Sequence, residues 1–293
     1  MSSVSPVEHT AIGGLAGLIE VGVMQPTVAL KNCLQEGRSF PTNISAYYRG
    51  LFINAGAMFP IIATQFGVNR TIEKVLESGR SDPLSNSQKI GMAMVAGSTS
   101  SVFGCPAEYL MIHQQRTGKS LIGAFKSNTS LYGYSTIYRG LHKRNHTSSS
   151  SSSCMQGATV SREALYAAGY LGLMPILRKE FTDAPVIKDI PGGPYLGAGI
   201  AAGIFGTVTT HPSDTIKTRM QAFPDLKKNP EYRTMYSTAR HIIQEGGVQA
   251  MFAGLVPRGF RIIGAVFILN GVKNTAVDFL EKKRSGETAD ALS

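Results

Sequence analysis

One local pattern is written three times along this chain: a proline, an acid two positions later, a base five positions later and a glutamine nine positions later. Pro212, Asp214, Lys217 and Gln221 carry all four elements. Pro26, Val28, Lys31 and Gln35 lack the acid, and Pro106, Glu108, Met111 and Gln115 lack the base. Each copy closes an apolar, Gly-rich stretch and is followed by a glycine that opens another, so the repeating unit contains two long hydrophobic elements. Three units predict an all-α membrane fold: six transmembrane helices in three pseudo-threefold repeats around a central cavity. The repeats span approximately residues 8–80, 86–181 and 192–283 and fill one transmembrane domain of 293 residues.

The composition supports a membrane setting with water on one side of the helices. The chain is 43% hydrophobic and 16% charged and contains 32 Gly, which is less charge and more glycine than a soluble domain carries. Yet its mean hydropathy is near zero, and no stretch reads as the clean run of about 20 apolar residues expected of a helix immersed in lipid. Polar residues such as Glu20, Gln65 and His211 are therefore expected to face a cavity while apolar ones face lipid. Gly13, Gly14 and Gly17, and later Gly197, Gly199, Gly203 and Gly206, are expected at close helix contacts. A net charge of +10 points to anionic partners. Much of the excess base lies in the segments joining the two halves of each repeat (Arg38, Arg116, Lys119, Lys126, Lys227, Lys228, Arg233, Arg240), which places them together on the inner side.

The six apolar stretches run approximately over residues 8–35, 51–78, 87–115, 159–181, 194–221 and 255–282. Tyr48-Arg49-Gly50, Tyr138-Arg139-Gly140 and Phe252-Ala253-Gly254 end the basic links, whereas residues 79–86 and 182–193 are short, Pro- and Gly-broken turns. Residues 145–157 interrupt the symmetry with a Ser-rich insertion that has nothing to bury. Cys33, Cys105 and Cys154 have neither disulfide nor zinc spacing, and no metal, cofactor or nucleic-acid site is expected. No nucleophile and base constellation suggests an enzyme. The N-terminus has no cleavable leader pattern, so any targeting is expected to be internal.

Proline inside an apolar helix removes one backbone hydrogen bond, and three equivalent prolines can bring three helices together at one end of a bundle. The acid and base three residues apart share a helix face and can each reach a neighbouring helix. His211-Pro212-Ser213-Asp214-Thr215-Ile216-Lys217-Thr218-Arg219-Met220-Gln221, with Tyr-Arg-Gly-Leu at Tyr48 and Tyr138, resembles the signature of the mitochondrial carrier family, and the resemblance extends over essentially the whole chain. It implies a multi-pass monomer of the mitochondrial inner membrane with alternating access. It further implies matrix-side closure by ion pairs between repeats and binding of cardiolipin or another anionic lipid at the turns of Gly50, Gly140 and Gly254.

The family's pairing rule joins Glu108 to Lys217 and Asp214 to Lys31, and sets Val28 opposite Met111. Both missing charges thus fall on the same contact. One missing charge would strand its partner at a cost of several kcal/mol, whereas loss of both leaves an apolar contact. Two ion pairs and one apolar seam are expected, braced by Gln35, Gln115 and Gln221. The acid and base network that closes the family's opposite end is not evident in residues 68–72, 173–177 or 272–276, which leaves room for uniport beside antiport.

Each ionisable residue within the spans is a candidate contact for solute. By resemblance, Arg261 stands where carriers place a substrate-binding arginine, with Arg162 and Glu163 at the corresponding level, similar to the pair in amino-acid carriers. Glu20 can add an amine-binding or proton-linked acid. Arg258 is expected nearer the helix end, towards lipid phosphate or a structural role, and His211 is expected to be structural. The resulting expectation is transport of a small anionic or zwitterionic metabolite, a carboxylate or amino acid. The alternative is a carrier-like adaptor or scaffold that does not transport.

Overall fold

The computed structural model describes residues 6–78, 84–138, 157–182 and 193–290, and among them the secondary structure is entirely helical. α1 spans Pro6–Glu36, α2 Ile44–Tyr47, α3 Leu51–Glu77, α4 Asn86–Thr117 and α5 Leu121–Tyr132. α6, Gly157–Ala167, runs through a π-helical turn at Ala168–Leu173 into α7, Met174–Thr182, and α8, Gly193–Ala222, follows. α9 spans Met235–Gly246 and α10 Leu255–Asp290. All six apolar stretches are thus helical, while α5 and α9 are additional short helices inside the basic links. Gly140 and most of the Ser-rich segment, including Cys154, lie outside the described residues.

Local chemistry sets the ends of these elements. Ser85 and Gln88 form a capping box at the start of α4, and Gly118, at φ 71°, closes it. Gly50 and Gly254, each at φ +86°, stand immediately before α3 and α10. That left-handed geometry is costly for any residue with a Cβ. The two turns are therefore backbone requirements.

The helices pack as successive neighbours, α3 on α4, α4 on α6, α6 and α7 on α8, and α8 on α10, and α10 returns to pack on α1. α8 also touches both α1 and α4, and Asn32 of α1 reaches Gln115 of α4, so the three helices that carry the repeated proline motif meet each other. Gly97 carries the α4 to α6 contact: a Cβ there would lie 2.6 Å from Ala167 Cβ and 2.8 Å from the Glu163 carbonyl carbon. Gly203 has a similar place against Ile262, at 2.6 Å from its Cγ2. Gly13, Gly14 and Gly17 differ from the sequence expectation, because a Cβ on any of them would meet nothing within 4 Å. Gly199 and Gly206 have only ordinary van der Waals neighbours. Gly clustering marks small side chains, but only the crossing point of two helices makes a particular glycine obligatory.

Burial is inverted relative to a water-soluble bundle. Gln25, Asn32, Gln35, His211, Asp214, Lys217 and Gln221 are essentially inaccessible, whereas Phe52 and Phe59 are 86% and 81% exposed, and Phe260, Phe267 and Phe279 also point outwards. Exposed apolar surface on this scale needs an apolar solvent. Among the described residues three segments are long and apolar enough to cross a membrane, Ile12–Glu36, Ile44–Glu77 and Val248–Leu269. α4 is less apolar because its inner face carries Ser100, Ser101, His113 and Gln115, all buried.

Candidate functional site

The repeated motif brings α1, α4 and α8 into a buried polar cluster. Lys31 Nζ on α1 lies 2.8 Å from Asp214 Oδ2 on α8. Gln35 Nε2 donates to the same carboxylate oxygen at 3.0 Å and to Thr215 Oγ1 at 3.3 Å, so the glutamine sits against the ion pair. Lys217 on α8 pairs with Glu108 Oε2 on α4. The turn glycines lie against the base positions: a Cβ on Gly254 would stand 3.0 Å from the Lys31 carbonyl oxygen, and one on Gly50 2.5 Å from Met111 Cγ.

The third side of the cluster is built from amides. Val28 and Met111 are both buried, and beside them Asn32 Nδ2 donates to Gln115 Oε1 at 2.8 Å. Gln115 Nε2 and Gln25 Nε2 each donate to the Arg49 carbonyl at 3.2 Å, and Asn54 Nδ2 donates to Gln25 Oε1 at 3.0 Å. Gln25, Asn32 and Asn54 were not singled out from sequence. A signal existed for Gln25, since it precedes Pro26 as His211 precedes Pro212. His211 Nε2 donates to the Ala253 carbonyl at 2.9 Å, so both pre-proline side chains hold the carbonyl just before a left-handed glycine. Gln221 Nε2 approaches Cys105 Sγ at 3.7 Å.

Three arginines close a second circuit below this cluster. Arg38 Nη1 donates to the Gln115 carbonyl at 3.5 Å, Arg116 to the Ala222 carbonyl, and Arg219 to the Gln35 carbonyl. Each guanidinium thus meets carbonyls at the C-terminal end of another proline-containing helix, where the helix dipole favours positive charge. Arg116 also lies over the Phe223 ring, 4.3 Å from its centroid. Glu245 on α9 adds an ion pair to Arg219 at 3.3 Å.

The remaining candidates divide between two places. Arg162 Nη2 lies 2.8 Å from Glu108 Oε1 and also pairs with the neighbouring Glu163, while its Nε is 3.6 Å from Asp214 Oδ1. Arg162 and Glu163 thus join the acids of the proline motif, because α6 crosses α4 closely at Gly97. Of the two expectations for Arg258, lipid phosphate or a structural role, its burial fits the structural one: it is 8% exposed. Its Nη2 donates to Thr210 Oγ1 at 2.7 Å, and its Nη1 lies 3.6 Å from Asp214 Oδ2. Arg261, one turn further along α10, is instead one-third exposed and faces Glu20 on α1, with Nε 3.6 Å from Oε1. Gln65 bridges α3 to α4 through Ser100 Oγ at 2.9 Å and accepts from the Tyr170 hydroxyl in the π-helical turn.

Known proteins match both the motif and the length of the chain. The family model described as mitochondrial carrier protein matches residues 189–284, the segment holding the complete motif. A probable mitochondrial 2-oxodicarboxylate carrier of Dictyostelium discoideum is 26% identical over 277 residues, 88% of this chain and 86% of that protein. Residues 189–284 are thus similar to the mitochondrial carrier family, and relatives named as mitochondrial carriers match most of the chain. The mitochondrial 2-oxodicarboxylate carrier of Mus musculus is 26% identical over 89% of the chain and 92% of the relative. The mitochondrial 2-oxoglutarate/malate carrier protein of Caenorhabditis elegans is 25% identical over 86% of each. These relatives are transporters by name.

Proposed function

We propose that the protein carries a carboxylate metabolite across the mitochondrial inner membrane by alternating access. The reading includes the finer architecture: six membrane-spanning helices in three repeats of one domain, a monomer with cardiolipin at the turns of Gly50, Gly140 and Gly254. The observation that carries it is the linkage of α1, α4 and α8 by Lys31 to Asp214 and Lys217 to Glu108 at the level of the repeated prolines. These links hold helices distant in sequence and sever without unfolding any of them, as a gate requires. In this reading the described state is closed on the matrix side, with Pro26, Pro106 and Pro212 at the constriction and a Val28 to Met111 contact as its uncharged seam.

The candidate solute contacts are Arg162, Glu163, Arg261 and Glu20. The names of the relatives favour a carboxylate over an amino acid, since 2-oxodicarboxylate, oxoglutarate and malate recur among them. Guanidinium groups suit such solutes because their planar fork binds carboxylate through two parallel hydrogen bonds. Substrate binding supplies the free energy that opens a gate only to the extent that it favours the open state. Uptake by proteoliposomes of labelled 2-oxoglutarate, 2-oxoadipate, malate, citrate, amino acids and nucleotides tests the assignment. Preferential carboxylate uptake is expected. Silence across the panel from folded, lipid-binding protein would support a non-transporting adaptor instead.

A further inference from the structure

Charge is shared unevenly among the three repeats. Among the described residues every ion pair between repeats has one end in the third: Lys31 and Glu20 of the first repeat pair with Asp214 and Arg261, and Glu108 and Arg162 of the second with Lys217 and Asp214. No ion pair among these residues joins the first repeat to the second.

The first two repeats are joined by amides instead. The Arg49 carbonyl oxygen, just before Gly50, accepts from Gln25 Nε2 on α1 and from Gln115 Nε2 on α4, each at 3.2 Å, which engages both of its lone pairs. Asn54 on the first turn of α3 donates to Gln25, and Asn32 donates to Gln115 at 2.8 Å. A closed loop of hydrogen bonds thus runs through α1, α4 and the turn into α3. Val28 and Met111, the uncharged positions of the motif, are buried. Gly118 lets the Arg49 guanidinium pack on the end of α4, since a Cβ there would stand 3.0 Å from Nη1. Further along the same two helices, Gln65 of α3 donates to Ser100 of α4 at 2.9 Å.

The two kinds of contact respond oppositely to water. Buried ions give up solvation and recover it when water enters, so wetting favours the parting of an ion pair. Apolar side chains gain nothing from being wetted, and the amide loop must exchange several partners at once. The other links to α8 are largely of the charged kind: Gln35 donates to the Asp214 carboxylate, and Arg116 and Arg219 hold helix-end carbonyls, with His113 to the Gln221 carbonyl at 3.2 Å as a neutral addition. Between α1 and α4 the charged link is a single long one, Arg38 to the Gln115 carbonyl at 3.5 Å.

We propose that the matrix side opens one-sidedly: α8 swings away with the third repeat, while α1 and α4 stay joined through the Arg49 carbonyl. Asn32, Gln115 and Gln25 are the positioning residues of that joint. The inference rests on the gate of the proposed cycle and adds which repeat moves.

Distances between pairs of spin labels on full-length protein in liposomes test it. Leu34→Cys on α1, Thr117→Cys on α4 and Lys227→Cys just after α8, all at exposed positions, are introduced in pairs in a Cys33→Ala, Cys105→Ser, Cys154→Ser background. Lys31→Met with Lys217→Met cuts both lysine ties of α8 and strands no acid, because Glu108 keeps Arg162 and Asp214 keeps Arg162 and Arg258. Both distances to the α8 label should lengthen by about 5 Å or more, roughly half the separation of packed helix axes, while the α1 to α4 distance stays within about 2 Å. Lys217→Met alone should lengthen only the α4 to α8 distance and decides the matter if the double variant does not fold. Adding Gln115→Leu, which removes the α4 side of the joint, should release the α1 to α4 distance as well. An α1 to α4 distance that grows as much as the others in the lysine variants overturns one-sided opening, as does an α8 label that stays in place. An α1 to α4 distance unmoved by Gln115→Leu overturns the amide joint. Uptake of 2-oxoglutarate by the unsubstituted protein reads the transport proposal separately: uptake with symmetric separation of the labels removes this inference alone, and no uptake of any solute removes the transport reading and this inference with it.

Discussion

Asp214→Asn is the substitution that should disturb the charge cluster most, and its size follows from the partners on each side. Asp214 is fully buried, 2.8 Å from Lys31 and 3.6 Å from each of Arg162, Lys217 and Arg258. The amide keeps the shape and removes the charge. Lys217 retains Glu108, but no other ion pair of Lys31 is present among the described residues. Removing one partner of a buried ion pair typically costs about 3–5 kcal/mol. Lys31→Met should cost less, because Asp214 keeps three cations nearby. The decisive variant is the double one, Lys31→Met with Asp214→Asn, which reproduces at this contact the uncharged state that Val28 and Met111 already show. It should recover at least about 2 kcal/mol relative to Asp214→Asn, since both ends of the strained contact are gone. Thermal unfolding of detergent-solubilised protein measures this: at roughly 2–4 °C per kcal/mol, the double variant should melt about 4–8 °C above Asp214→Asn. A double variant that melts no higher than Asp214→Asn, with losses that simply add, would refute the claim that paired loss of charge is tolerated. The same result would remove the explanation for Val28 and Met111.

Other outcomes follow from the packing and the proposed cycle. Gly97→Ala should destabilise the fold by about 1–3 kcal/mol because its methyl meets backbone of α6, whereas Gly13→Ala, which meets open space, should be neutral or stabilising by up to about 1 kcal/mol in the same melt. Cys105, fully buried beside Pro106, should react slowly with N-ethylmaleimide in a Cys154→Ser background and faster when Asp214→Asn weakens the closed state; mass spectrometry of the labelled peptide reads the rate, and equal rates would argue against a gate at this level. Arg261→Ala should lower carboxylate uptake by at least about tenfold, the loss expected of one charge-assisted contact, with little change in melting. Uptake unchanged in that variant would remove Arg261 from the solute site.

The sequence carried the helices and the pairing of the odd ones almost completely. Each apolar stretch became a helix ending within a few residues of its expected limits, apart from α10, which continues to Asp290. The reason is local: turn glycines, capping residues and breakers act within a few positions, and a threefold motif puts Lys31, Asp214, Glu108 and Lys217 at one level whatever the rest of the chain does. Gln35 was legible for the same reason. Only the fold could decide the surroundings of that ring. Arg258 was open between lipid phosphate and a structural role because its place along α10 is visible in sequence and its rotation about the helix is not; packing of α8 on α10 turned it to Thr210 and Asp214. Arg162 met Glu108 where Gly97 allows α4 and α6 to touch closely, whereas the conspicuous Gly13, Gly14 and Gly17 met nothing. The seam without charges gained its amide network from Gln25, Asn32 and Asn54, ordinary residues until three helices brought them together. Spacing along the chain thus set which residues share a level, and tertiary packing decided which of them face one another, because helix rotation and separation depend on side chains from other helices.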